Sequence, residues 1–176
     1  MADSVTGVSV RSVDDSAAQE LATLGASSFT QAYQGVHDLS DIKTYCDTQY
    51  SLAATLANLR NSELCYRVAY DGDHALGFSL TTQRACPVIE GSDAVELKQL
   101  YMLSDQIGTG LGTRLLDDAL EIARGRGDDC MWLIVADFNK RAQAFYRKHG
   151  FDMLSAAPIL IMGRYRLPAT YMSKRL

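Results

Sequence analysis

Three glycines at alternate positions, Gly108, Gly110 and Gly112, follow an apolar run that ends at Leu103 and a short polar turn over 104–107. Beyond the first of them Leu111, Leu115, Ala119 and Ile122 recur at spacings of four, four and three, the apolar stripe of one helix face. A strand, a glycine turn and a helix N-terminus in that order suit an anion, phosphate above all. Glycine lets the backbone close on the anion, and the amides of the first helical turn, which have no partner inside the helix, point at it. The chemistry this arrangement serves is the capture of a nucleotide-like diphosphate.

Spacing sorts the nucleotide readings. A Walker loop needs Gly-Lys-Ser/Thr after its second glycine, and no such triplet follows here. A dinucleotide fingerprint needs glycines at 108, 110 and 113; position 113 is Thr113, although Asp137 stands at a suitable distance for a ribose carboxylate and keeps that reading open. A glycine turn with no ligand also stays open. The third nucleotide reading comes from the whole stretch Gln99-Leu-Tyr-Met-Leu-Ser-Asp-Gln-Ile-Gly-Thr-Gly-Leu-Gly-Thr-Arg-Leu-Leu116, which resembles the acetyl-CoA pyrophosphate loop of the GNAT N-acetyltransferase superfamily. The glycine positions are filled, but the family's Gln/Arg slot holds Ile107, with Gln106 one place early. A second segment, Asn139-Lys-Arg-Ala142-Gln-Ala-Phe145-Tyr146-Arg-Lys-His-Gly150-Phe151, is similar to that family's Asn-x-x-Ala-x-x-Phe-Tyr…Gly-Phe motif.

The elements that must position these residues can be read along the chain. Val5 to Val13 alternates apolar and polar, a first strand. Asp14, Asp15 and Ser16 offer caps, with Ser16 and Gln19 at capping-box spacing, and Ala17, Leu21, Leu24 and Ser28 share a helical face. Residues 29–41 read as a helix end and a loop; 42–60 reads as helix in two pieces broken near Ser51, with Leu52, Leu56 and Leu59 as core contacts. Residues 64–70 and 75–82 flank an Asp71-Gly72-Asp73 turn, a hairpin. The strand 94–103 enters the glycine turn, Gly127 suits the end of the following helix, and the apolar run 130–136 reads as a strand buried on both faces. Strand, helix and strand make one βαβ crossover, so 94–103 and 130–136 should be parallel. Asn139 caps a further helix that Gly150 closes, and 151–153, 159–162 and 170–172 supply the last strands. This order matches the GNAT fold, an α/β domain over 1–176 with a mixed central sheet of about seven strands, a parallel splayed pair and flanking helices.

The resemblance implies acetyl-CoA as cofactor and a set of residues to hold it. Main-chain groups of Tyr101, Met102 and Leu103 would pair with the pantetheine arm. The turn Ile107, Gly108, Thr109, Gly110, Leu111, Gly112 and Thr113 would take the pyrophosphate, and Asn139 and Tyr146 complete the cofactor contacts. Acetyl transfer to an amine first needs a neutral nucleophile, and deprotonating a lysine-like ammonium at pH 7 costs roughly 4–5 kcal/mol. Glu96, on the strand before the turn where many family members keep a glutamate, is the candidate base, with a surface pair to Lys98 as its other reading. Tyr146 stands in the family's general-acid position, where it would protonate the departing thiolate; packing beside Phe145 is its plain alternative. Tyr33, His37 and Glu96 would border the acceptor.

The segment Ser28-Phe-x-x-Ala-Tyr33…Asp38-Leu and the C-terminal Ile161-Met-Gly163…Tyr171-Met-Ser-Lys174 resemble the bacterial polyamine and diamine branch, so the resemblance implies a small primary amine as substrate. Protein or peptide N-acetylation and a non-catalytic acyl-CoA-binding module remain the alternatives. A homodimer is compatible, since C-terminal strands of this family often pair between subunits. The net charge of −4 argues against nucleic acid, which needs concentrated Lys and Arg. Four scattered cysteines without C-x-x-C or histidine at ligand spacing read as reduced thiols with no metal, and no apolar run approaches a membrane span, which together read as cytoplasmic.

Overall fold

The computed structural model describes residues 7–162 and 164–176. Its strands are β1 (Val8–Ser12), β2 (Leu64–Asp71), β3 (His74–Gln83), β4 (Ala94–Met102), β5 (Cys130–Ala136), β6 (Asp152–Met162) and β7 (Tyr165–Arg175). Its helices are α1 (Ala18–Tyr33), α2 (Leu39–Gln49), α3 (Leu52–Leu59), α4 (Leu111–Arg126) and α5 (Lys140–Lys148). The strands form a mixed sheet in the order β1-β2-β3-β4-β5-β7-β6. β4 and β5 are parallel, with Ala94, Val95 and Glu96 opposite Cys130, Met131 and Trp132. This is the crossover expected from the sequence, and α4 makes the connection.

Contacts divide the chain into two compact units: residues up to Thr81 with Gln99–Ala119, and Thr82–Lys98 with Leu120–Leu176. In the first, Val8, Ala69, Leu111 and Leu115 are buried together, and Val10, Leu76, Leu100 and Met102 pack against them. Two parallel hydrogen bonds of 2.7 Å from Arg67 to the Asp118 carboxylate tie β2 to α4. The two side chains are each only 19% exposed, so this fork is stronger than an ordinary surface pair. In the second unit Cys86, Ala94, Cys130, Trp132 and Tyr171 form one cluster of the core. The Trp132 indole N–H donates to the Arg84 carbonyl at 2.8 Å, which satisfies its one buried donor.

Several boundaries differ from the sequence reading. Val5 lies outside the described residues. Ser16 does not cap α1: the Asp14 carboxylate accepts from the Ser16 amide and hydroxyl, a single 3-10 turn follows over Asp15–Ala17, and α1 begins at Ala18. The helix end and loop read over 29–41 stand as the last turn of α1, held by the packed rings of Phe29 and Tyr33, a loop over 34–38 and the start of α2. Leu52 is exposed, Leu56 and Leu59 are half-buried, and Thr55 is the buried residue of α3. On α4 the stripe includes Leu116, Leu120 and Ala123, and Ile122 turns half outward. The segments 151–153 and 159–162 belong to one strand, β6, whose register against β7 shifts between Met153 and Ala156 and between Ala157 and Leu160. Pro158, which has no N–H to give the ladder, sits within the second irregularity.

Candidate active site

The glycine turn is set by what surrounds it. The Leu103 amide donates to the Leu76 carbonyl at 3.0 Å, and the Ser104 amide donates to the Gln31 side chain at 2.7 Å, so the exit from β4 is held on both sides. A 3-10 turn over Ser104–Gln106 leads to Gly108 and Gly110, whose φ angles of +87° and +97° are left-handed and favour glycine. Gly112 differs: it is buried in the first turn of α4. The Thr109 hydroxyl donates to the Gln106 carbonyl and accepts from the Leu111 amide. Leu111 and Leu115, fully buried, anchor the start of α4. The Arg114 amide makes an intrahelical bond to the Gly110 carbonyl, the first such bond of α4, and the Leu111 amide is held by the Thr109 hydroxyl. Ile107 is 41% exposed, an apolar side chain where the family places a donor.

Tyr101 and Met102 end β4, beyond the residues in parallel register with β5, and Leu103 follows them. Gly77 on β3 lies against them. A side chain there would begin 2.7 Å from the Tyr101 carbonyl and 2.8 Å from the Met102 Cβ. An isolated glycine inside a strand pattern is the sequence signal for such a close approach, and it went unread.

Tyr33 and His37 join Tyr101 in the first unit. Their rings stack at 5.7 Å, and Tyr33 stacks on Phe29 at 4.4 Å. Burial raises the Tyr33 hydroxyl above the ordinary tyrosine range and lowers the His37 imidazole below the ordinary histidine range, the latter opposed by the Asp41 charge. Tyr101 is pushed well up by burial and by its tyrosine neighbours.

Glu96, Asn139 and Tyr146 belong to the second unit. Glu96 is buried, and the partner of its carboxylate is the Arg84 guanidinium at 3.5 Å; Lys98, its partner in the surface-pair reading, is exposed. Arg84 also lines a polar cavity of about 390 Å³ with Gln83, Arg126 and Asp128. The Asn139 side chain caps α5 by accepting from the Ala142 amide at 3.1 Å. Gln143, buried and not singled out from the sequence, donates to the Ala136 and Asp137 carbonyls and fixes α5 to the end of β5. Tyr146 is buried edge-on to Phe145 and Phe151, with centroids at 5.3 and 5.5 Å. Asp137 accepts from the Thr170 hydroxyl at 2.7 Å through one of its two carboxylate oxygens.

A mixed sheet with a parallel pair joined through a glycine turn and one helix is an α/β fold. The family model for the acetyltransferase (GNAT) family matches residues 31–151. An uncharacterized N-acetyltransferase of Mycobacterium bovis is 31% identical over 137 residues, 77% of this chain and 83% of that protein. A mycothiol acetyltransferase of Beutenbergia cavernae is 32% identical over 124 residues, 66% of this chain but 38% of that protein. Among solved structures, the PaiA N-acetyltransferase of Thermoplasma acidophilum in complex with coenzyme A superimposes with a TM-score of 0.82 at 20% identity, over 96% of this chain and 99% of that one. The chain belongs to the GNAT acetyltransferase family. With membership come the class of enzyme, an acyl-CoA-dependent acyltransferase, and its donor, acetyl-CoA. Among the described residues no helix is long and apolar enough to cross a membrane.

Proposed function

We propose that this enzyme moves an acetyl group from acetyl-CoA to a primary amine of a small molecule, of the aliphatic diamine or polyamine class, by direct attack in a ternary complex. The observation that carries the reading is the left-handed glycine turn opening onto the N-terminal amides of α4. Those amides hold the diphosphate, helped by the helix dipole, and main-chain groups of Tyr101–Leu103 pair with the pantetheine arm. Glu96, directly or through a water, takes the proton of the acceptor ammonium. The free amine attacks the thioester carbonyl carbon, and a main-chain N–H near Met102 steadies the tetrahedral oxyanion. The carbon–sulfur bond then breaks as the Tyr146 hydroxyl gives its proton to the leaving thiolate, and the second proton shed by the attacking nitrogen as the amide forms restores the Tyr146 phenol. Asn139 starts the helix that carries Tyr146, and Tyr33 and His37 border the acceptor.

Release of free CoA from acetyl-CoA, followed over a panel of amines and peptides, tests the acceptor. Release with diamines or spermidine supports the reading; release with peptides alone replaces it with protein acetylation, and CoA binding without release makes the chain a non-catalytic module. Tyr146→Phe should lower kcat by about a hundredfold while the KM for acetyl-CoA moves by less than about twofold. Unchanged turnover removes Tyr146 from the mechanism.

A further inference from the structure

Six side chains of the first unit converge from separate stretches of chain: Phe29 and Tyr33 on α1, Tyr45 on α2, Tyr50 just beyond it, and Gln99 and Tyr101 on β4. Tyr45, Phe29 and Tyr33 stack face to face, with centroids 4.5 and 4.4 Å apart and planes 15° and 24° from parallel. Tyr50 and Tyr101 each approach Phe29 at 5.9 Å from other angles. Tyr33 and Tyr101 are hydrogen-bonded through their hydroxyls, a bond that opposes the rise burial gives Tyr33, while Tyr45, Tyr50 and Tyr101 are raised first by burial and then by neighbouring phenols. Stability alone would fill such a space with leucine or phenylalanine, since each buried phenol needs a partner.

One group in the cluster lacks its partner. The Gln99 side chain donates from Nε2 to the Tyr50 hydroxyl at 3.3 Å, while its Oε1 is buried with no hydrogen-bond partner among the described residues. Turning the amide over exchanges the bare acceptor for a bare donor and cures nothing. A buried acceptor without a donor destabilises the fold, and a site built for a ligand is where such a cost is tolerated.

We infer that this cluster is the acceptor-selecting site, and that it takes an alkylammonium, an aliphatic diamine or polyamine, whose N–H bonds to Gln99 Oε1 while its charge lies against the tyrosine rings. The inference rests on the acetyl-transfer reading and adds the residues that choose the amine. The faces of aromatic rings are electronegative and attract cations. Amide and phenol oxygens accept from an ammonium, whereas a carboxylate would meet Oε1 as a second acceptor. None of the six side chains is cationic, and the Asp41 carboxylate beside His37 adds negative potential at the end of the stack.

Steady-state acetylation of spermidine by Gln99→Met and Gln99→Glu tests this. Methionine matches glutamine in length but neither donates nor accepts strongly. The KM for spermidine should rise about tenfold, the KM for acetyl-CoA should move by less than about twofold, and Tm should hold or rise because the bare acceptor is gone. Gln99→Glu keeps an acceptor, adds charge, and should lower the KM for spermidine. A lower Tm with an unchanged KM for spermidine would make Gln99 a structural residue and overturn the inference. Should Gln99→Met fail to fold, Gln99→Glu decides: an unchanged KM for spermidine overturns it. An enzyme that binds CoA and acetylates peptides but no alkylamine overturns the inference and leaves acyl transfer standing; one that shows no calorimetric heat with CoA overturns both.

Discussion

In the proposed function the turn over 107–113 meets acetyl-CoA with main-chain amides, whereas Tyr33, Tyr50 and Gln99 present side chains gathered from positions up to 66 apart in the sequence. The two regions share one unit, and in the proposed function they divide recognition between them. A diphosphate is the same on every molecule of acetyl-CoA, so on this reading fixed amides held by Gly108, Gly110 and the buried Leu111 and Leu115 would suffice. Such a site would tolerate Ile107 in place of a donor because most of its hydrogen bonds would come from the backbone. Acceptors differ from enzyme to enzyme, and side chains are what can vary without disturbing the turn.

The comparison predicts that each region can be damaged without the other. Gly25 lies within α1, and a side chain there would begin 2.4 Å from the Tyr50 ring. Alanine elsewhere in a helix interior is worth ~1 kcal/mol over glycine, but here it must displace a buried ring, an overpacking cost of about 1–3 kcal/mol. Gly25→Ala should therefore lower Tm and raise the KM for the amine several-fold (of order fivefold), while the calorimetric Kd for CoA stays within about twofold. A CoA affinity that falls in parallel would break the division. The smaller effect is on the donor side. Ile107→Arg restores the charged donor of the family pattern and should tighten CoA by about fivefold with no change in the KM for the amine. Unchanged CoA affinity in that variant would mean that position 107 does not face the cofactor.

Legibility follows the same line. The crossover read as 94–103 and 130–136 stands at Ala94–Met102 and Cys130–Ala136, because a buried apolar run and its glycine punctuation are local signals. Asn139 caps α5 as its spacing implied, and Gly127 and Gly150 take the left-handed turns expected after helices. The tyrosine cluster was not legible beyond Tyr33 and His37. Its rings come from α1, the end of α2 and β4, and no period links Phe29, Tyr45, Tyr50 and Tyr101. The Arg84 partner of Glu96 was not legible for a similar reason: Lys98, the alternative partner, is near in sequence, whereas Arg84 lies across the loop between β3 and β4. Gly25 and Gly77 were passed over because their use lies in what packs against them, a ring and a neighbouring strand.

The central claim is that main-chain amides at the entrance to α4 grip the diphosphate of the donor. Calorimetric titration of the enzyme with CoA, phosphopantetheine and pantetheine tests it directly, since the series removes the adenosine end first and the last phosphate second. The account predicts that phosphopantetheine binds at least about tenfold more tightly than pantetheine, with a smaller loss than that expected if adenosine alone were read. Equal affinity for phosphopantetheine and pantetheine would contradict it.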